Sequence, residues 1–141
     1  VLELPGMNLR WLTPADRVVA FPNPSPGGRE VAAELFDRHG SRLVVFPLEG
    51  GAPLRTLTGS EFHHAWSHSW SPDGERIAFA GQKNGAWNLY AQRHGGGAPE
   101  AFTAERSARL FVRYPSWSPR GDQLVYERVE VRGNVYLAEV P

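Results

Sequence analysis

Three histidines, His63, His64 and His68, lie within six residues of one another and are the side chains best suited to metal chemistry. Histidine is a common zinc ligand, and three together could form a site. His63 and His64 are adjacent, however, and neighbouring side chains of an extended chain point to opposite sides. Glu61 is the only carboxylate close by in sequence that could support such a ligand set. We therefore predict no metal and interpret the three histidines as contacts for a partner molecule.

Four arginines form a second group with chemical potential, because a guanidinium group binds a carboxylate through two parallel hydrogen bonds. Two explanations are open: a rim that binds an acidic partner, or the solvated polar surface that loops normally present. The arginines lie in the connecting segments Pro14–Pro22 and Ala104–Pro115, which are equivalent to the segment that carries the histidines. The four residues are Arg17, Arg106, Arg109 and Arg113.

Motifs of common enzymes and nucleotide-binding proteins are missing from the sequence. It contains no Gly-x-Ser-x-Gly nucleophile elbow, no Walker loop, no Gly-x-Gly-x-x-Gly and no Asp-rich calcium loop. The glycines at 95–97 occupy a turn position, so we interpret them as a hairpin turn and not as a phosphate site. The sequence therefore predicts no catalytic residue, no cofactor and no enzymatic activity in these residues.

Composition excludes further classes of function. Fifteen Lys and Arg balance fifteen Asp and Glu, so the chain has no field that would attract nucleic acid. No apolar run approaches the roughly 20 residues of a membrane-spanning helix. There is no cysteine, which excludes disulfides and thiolate metal sites. Hydrophobic residues make up 41% of the chain, enough for a packed core.

The sequence contains a repeat of about 46 residues, which indicates the elements that position these side chains. Asn-Pro-Ser-Pro-Gly-Gly at 23–28, Ser-Trp-Ser-Pro-Asp-Gly at 69–74 and Ser-Trp-Ser-Pro-Arg-Gly at 116–121 align with one another. Leu-Thr or Phe-Thr pairs form a second series in the same register, ending at Thr13, Thr58 and Thr103.

Each repeat has the pattern of four short strands. Apolar and polar residues alternate after each Ser-Pro-x-Gly, and this period of two is the strand signal. Ser-Pro-Asp-Gly favours a type I turn, and further turns are predicted at 37–40 and 82–85. No convincing helical period occurs. The predicted strands lie near 29–36, 42–48, 75–81, 87–93, 111–117, 123–129 and 133–139.

Four strands in a unit of this length are the signature of a β-propeller blade. A blade cannot cover both of its faces alone, so blades stack around an axis. Trp70 and Trp117 take the same place in successive units and are expected to fill the gap between neighbouring sheets. Pro24 stands there in the first unit, so its packing must differ. The prediction is an all-β chain of about three four-stranded antiparallel blades, part of a six-bladed or larger ring.

At these residues the sequence resembles the TolB-type, WD-repeat-like β-propeller family, whose repeat is Pro-x-Trp-Ser-Pro-Asp-Gly, an alternating strand, a Gly-Gly turn and a terminal Leu-Thr. Tyr114–Gly121 and Ser69–Gly74 carry the motif, with Arg120 in place of the usual Asp. The resemblance covers nearly all of the chain. Such propellers occur in the periplasmic TolB protein, in peptidases of the prolyl oligopeptidase and tricorn types, and beside kinase or regulator domains.

Because a propeller fold serves many functions, the function must be argued from its surface. The leading hypothesis is a non-catalytic scaffold for protein–protein interaction, resembling the TolB propeller, that binds a protein or peptide at one mouth of the channel. The alternative is the regulatory or gating propeller of a larger enzyme, such as a prolyl-oligopeptidase-type serine peptidase, or the sensor domain of a regulator. We expect no nucleic-acid partner and no membrane insertion. The resemblance implies a periplasmic or secreted location, and the cytoplasm remains open.

The repeat divides the chain into the end of a preceding blade at 1–13, blades at 14–58 and 59–103, and an incomplete blade at 104–141. Closed propellers have about four to eight blades. We therefore expect the remaining blades to lie outside these residues, or two chains to complete one ring. An open arc would leave apolar faces and strand edges in water, which favours self-association.

Overall fold

Short turns at regular intervals divide the chain into β-strands. The computed structural model describes residues 1–3, 6 and 8–133. All regular elements in these ranges are strands, as predicted, and none is a helix. In particular, this part of the chain has no apolar helix long enough to cross a membrane. The strands are β1 (Leu2–Glu3), β2 (Asn8–Leu9), β3 (Val18–Pro24), β4 (Glu30–Asp37), β5 (Gly40–Pro47), β6 (Arg55–Thr56), β7 (His64–Trp70), β8 (Arg76–Lys83), β9 (Ala86–Arg93), β10 (Glu100–Ala101), β11 (Leu110–Trp117) and β12 (Leu124–Glu130).

The strands form four antiparallel sheets in which sequence neighbours pair. Strands β3 to β6 make the first sheet, β7 to β10 the second sheet, and β11 with β12 the described part of the third sheet. Strands β1 and β2 form a separate hairpin before them. Strand β7 lies at the centre of this arrangement, since it contacts β3, β4 and β5 of the first sheet and β11 of the third.

Six of the predicted strands are confirmed to within two residues, namely β4, β5, β8, β9, β11 and β12. The seventh, near 133–139, falls almost wholly outside the described residues. The predicted set lacks strands β3 and β7, each of which contains a β-bulge. The predicted connectors were therefore too long: Pro14–Pro22 ends inside β3, and Ala104–Pro115 ends inside β11.

The Ser-Pro-x-Gly segments form the turns that the sequence predicts. In each one the glycine N–H donates to the serine carbonyl three residues earlier, at 2.9 Å, and the glycine has a positive φ. The second hairpin of the second sheet turns at Asn84 and Gly85, one residue later than predicted. Both residues have positive φ, as a tight two-residue hairpin requires.

The repeated threonine connects the third and fourth strands of a sheet. The Thr58 hydroxyl accepts the N–H of Leu43 at 3.0 Å, and the Thr103 hydroxyl accepts that of Leu89 at 2.9 Å. Strands β6 and β10 are only two residues long, so these bonds continue the pairing beyond them. The side-chain bond explains why threonine recurs at this place.

Tryptophan side chains connect the second sheet to the first and the third sheet to the second, as the sequence predicts. The Trp70 indole N–H donates to the Asn23 carbonyl at 3.0 Å, and that of Trp117 donates to the Ser69 carbonyl at 3.2 Å. Asn23 and Ser69 are themselves equivalent positions in the repeat. Trp70 also belongs to the apolar core between the first and second sheets, which includes Val45 and Phe79.

One residue with a left-handed backbone lies in the middle of each of the strands β3, β7 and β11, which are the first strands of the first, second and third sheets. Phe21, Ser67 and Tyr114 have φ values of 53°, 39° and 54°. They are separated by 46 and 47 residues, which is the period of the repeat. Such values are uncommon outside glycine, and each falls at the shift of register in its strand. The bulge is therefore a regular feature of these strands.

Candidate functional site

The histidine segment packs against the tip of the first sheet. His63 precedes β7, and its carbonyl accepts the N–H of Ser41, which follows the β4–β5 turn. The rings of His63 and His64 meet edge to face, with centroids 4.5 Å apart. The prediction that they point to opposite sides is wrong, because His63 lies in a bend and not in an extended strand. No group of three potential ligands for a metal ion occurs among the described residues.

His68 is separated from the other two histidines by its burial. Its side chain is 1% exposed and lies beside Glu34 of β4, with Nδ1 3.9 Å from Oε1. Burial lowers the pKa of His68 to about 4, so the ring is neutral at neutral pH. A partner could touch it only by opening the packing between the sheets. The three predicted histidines therefore do not form one exposed surface.

Glu34 is a buried carboxylate that is not among the site residues predicted from the sequence. It is 0% exposed, and Oε1 accepts the Ser67 N–H at 2.6 Å. Its Oε2 has no hydrogen-bond partner among the described residues. Burial raises the pKa of Glu34 to about 7, although the bond from Ser67 acts in the opposite direction. Burial of this residue could have been inferred from the sequence. Glu34 is a charged residue in the apolar strand β4, which pairs with β3 on one side and β5 on the other.

An open pocket of about 280 Å³ lies over Glu34 where the three sheets meet. Trp66 and Trp87 contribute tilted rings with centroids 5.6 Å apart, and Trp87 also faces Phe111 at 6.1 Å. The His64 ring stacks on Trp87 with an angle of 12° between the planes. The Trp66 indole N–H is buried and has no acceptor among the described residues. The pocket is lined by Glu34, Phe36, Ser41, His64, Trp66, Trp87 and Phe111.

The four predicted arginines do not share one environment. Arg113 lies in β11 and makes two hydrogen bonds with Glu127 of β12, at 2.9 and 3.0 Å, which raise its pKa. Arg17 lies beside Asp16 at 3.8 Å and lines a pocket on the first sheet. Arg106 lines a pocket on the second sheet, and Arg109 is exposed. Arg113 is therefore bound by a carboxylate of its own sheet.

Exposed aromatic side chains occur at two of the three bulges. Phe21 is 59% exposed and Tyr114 is 56% exposed. The Tyr114 N–H donates to the Ser67 hydroxyl at 3.1 Å, so the bulges of β7 and β11 are in direct contact. The period of the repeat predicts that positions 21, 67 and 114 are equivalent. Only the backbone angles show that the strands bulge at these residues.

The comparisons with known proteins show the fold. No family model matches the chain, and no curated protein matches it. Among solved structures it is similar to a protein from Agrobacterium tumefaciens that is provisionally described as TolB. The two share 20% identity with a TM-score of 0.72 over 82% of this chain. The chain spans 40% of the length of that protein. The similarity supports a TolB-like β-propeller fold, with about three blades still a prediction.

Proposed function

We propose that this chain belongs to a non-catalytic β-propeller scaffold that binds a protein or peptide partner beside its first strands. The observation that carries the proposal is the recurrence of the bulge at Phe21, Ser67 and Tyr114, which exposes two aromatic rings at equivalent places in the repeat. Bulges redirect side chains, and aromatic residues are enriched in protein interfaces. The likeness to a TolB-like fold supports a propeller-type scaffold.

The proposal includes His64, the first residue of β7, and the neighbouring connectors, where the predicted contacts His63, Arg17, Arg106 and Arg109 lie. Of the predicted set, Arg113 is engaged by Glu127 and His68 is buried, so we assign the direct contacts to the others. We also propose a periplasmic or secreted location. A fusion of the native upstream region to a secretion reporter tests it, and retention in the cytoplasm would contradict it.

Photo-crosslinking in cells tests the binding surface. A photo-reactive residue at position 21 or 114 is expected to crosslink to the same partner, because the two positions are equivalent in the repeat. Leu54 and Phe102 provide matched controls, since both are exposed apolar residues near the short fourth strands. Phe21→Ala and Tyr114→Ala should each weaken binding of that partner. Equal crosslinking from all four positions would contradict the proposal.

A second candidate function is a regulatory propeller in a larger enzyme or a sensor domain. It is favoured by the fact that the chain spans only 40% of the length of the similar structure. A longer protein that contains these residues could include further domains. The complete open reading frame distinguishes the two candidates. An adjoining α/β-hydrolase pattern with Gly-x-Ser-x-Gly would favour the enzyme, and an adjoining kinase or DNA-binding domain would favour the sensor.

A further inference from the structure

We infer that the pocket over Glu34 binds an organic cation, an alkylammonium or a guanidinium group, with the carboxylate as its counter-ion and Trp66, Trp87 and Phe111 as its aromatic wall. The inference does not depend on the proposed protein-binding surface. All the lining residues belong to strands of the three described sheets or lie within one residue of them.

The carboxylate provides the first reason for a cationic ligand. Glu34 is wholly buried, and of its two oxygens only Oε1 is hydrogen-bonded. A buried acceptor without a partner costs free energy, and a buried charge is stabilised mainly by an opposite charge. A ligand that brings an N–H donor together with a positive charge satisfies both needs.

The aromatic wall provides the second reason. Cations are attracted to the faces of tryptophan and phenylalanine, and cages of several aromatic rings recognise ammonium ligands. A purely apolar ligand would leave Glu34 without a counter-charge. An anion would be repelled by it.

Among the described residues, no side chain that is cationic near neutral pH lies within ion-pair distance of Glu34. His64 lines the pocket, but burial and the neighbouring His63 lower its pKa, and the buried His68 has its pKa lowered to about 4. Two arginines of the strands that line the pocket are paired with carboxylates, Arg42 with Asp37 at 3.4 Å and Arg113 with Glu127. Glu34 lines the pocket, but its side chain is closed to water, so a cation from outside reaches the carboxylate only when the packing over it opens.

Nuclear magnetic resonance of the nitrogen-15-labelled chain tests the inference through the indole N–H signals of Trp66 and Trp87. The probes are butylammonium and methylguanidinium, with the uncharged 1-butanol as the control ligand. Both cations should shift the two signals saturably, and 1-butanol should not. Binding should strengthen between about pH 6 and about pH 8, because the cation requires Glu34 without its proton.

Glu34→Gln is the decisive variant, since glutamine keeps the shape and the acceptor for Ser67 but removes the charge. It should weaken binding of both cations by about tenfold or more. Glu127→Gln is the matched control, because Glu127 occupies the equivalent position of the third sheet outside the pocket, and it should bind as the wild type does. Equal affinity in Glu34→Gln, an equal response to 1-butanol, or no saturable shift would each overturn the inference.

The source of the cation is distinguished with a lysine-containing peptide and its acetyl-lysine counterpart. If the lysine peptide binds more tightly than butylammonium and acetylation abolishes binding, the ligand is a side chain of a partner protein. If butylammonium binds and the peptide does not, the pocket takes a free amine. Both outcomes support a cation site, and failure of both cations contradicts it without affecting the proposed surface at Phe21 and Tyr114.

Discussion

Glu34 shows how one position of a repeat acquires a separate chemical role. The equivalent residues of the next two sheets are Ala80, which is buried in an apolar cluster, and Glu127, which pairs with Arg113 at the surface. Of these three positions, only position 34 places a carboxylate in a buried environment, and no group that is cationic at neutral pH lies beside it among the described residues. Its protonation should therefore contribute visibly to the pH dependence of stability.

Glu34→Gln is expected to gain stability relative to the wild type as the pH rises. The folded wild type holds a proton on Glu34 up to about pH 7, whereas the unfolded chain releases it near pH 4.5. Stability from this group is thus complete below pH 4.5 and lost as the pH rises through 7. The gain of the variant should grow by up to about 3 kcal/mol over this range, measured by urea unfolding at several pH values.

The Glu127→Gln variant supplies a control of opposite sign. The bond with Arg113 lowers the pKa of Glu127, so this carboxylate stabilises the folded state at neutral pH and ceases to do so in acid. The variant should lose a little stability at neutral pH and match the wild type in acid. A Glu34→Gln curve with the same slope as this control would mean that Glu34 is not held protonated.

Gly40→Ala is expected to destabilise the protein by about 2 kcal/mol or more. Gly40 has a φ of 136°, and a methyl group there would collide with the carbonyl of His63. The equivalent hairpin position of the second sheet is Ala86, whose φ is not positive, so the backbone at Gly40 adds strain to the collision with His63. Gly85→Ala is the control: its φ is 78° but nothing lies within 4 Å, so only about 1 kcal/mol of strain should appear. Equal losses in urea unfolding would show that His63 does not approach this closely.

At the scale of elements, the three sheets are joined through the tryptophans of the second and third repeats. Trp70 is 7% exposed and its indole N–H reaches back to β3, whereas Trp117 is half-buried and reaches back to β7. The same hydrogen bond is thus made in a buried and in a half-buried place. Its loss should reduce the free energy of unfolding more at the buried place.

Trp70→Phe should therefore cost about 1–3 kcal/mol of unfolding free energy, because it leaves the Asn23 carbonyl without its donor and opens a cavity. Trp117→Phe removes the same donor at a more accessible place, where water can replace it, and should cost less. The midpoints of urea unfolding compare the two. A larger loss for Trp117→Phe would contradict the assignment of Trp70 to the core between the sheets.

At the scale of the whole molecule, the third sheet leaves apolar side chains uncovered in its described part. Val125 is 70% exposed, Tyr126 39% and Val131 49%. Neighbouring exposed apolar groups promote association. We predict that the 141-residue chain, produced alone, forms dimers or larger species, as measured by light scattering. A soluble monomer with a cooperative melt would contradict this prediction and the blade count behind it.

The architecture was predictable because its signals are local. Ser-Pro-x-Gly turns, alternating strands and the recurring Leu-Thr pair each lie within a few residues, and their backbone preferences do not need distant partners. Their spacing of about 46 residues then indicated repeated sheets, and the tryptophan at the same place in two repeats indicated where the sheets meet.

The chemistry of the pocket was decided by tertiary structure. Glu34 and Ser67 are 33 residues apart, and Trp66 and Phe111 are 45 residues apart, so no local pattern shows that these residues meet. The same is true of His68, which the sequence placed among exposed contacts and the packing of β4 against β7 buries. Burial and the distance between charges set a pKa, and both exist only once the sheets have come together.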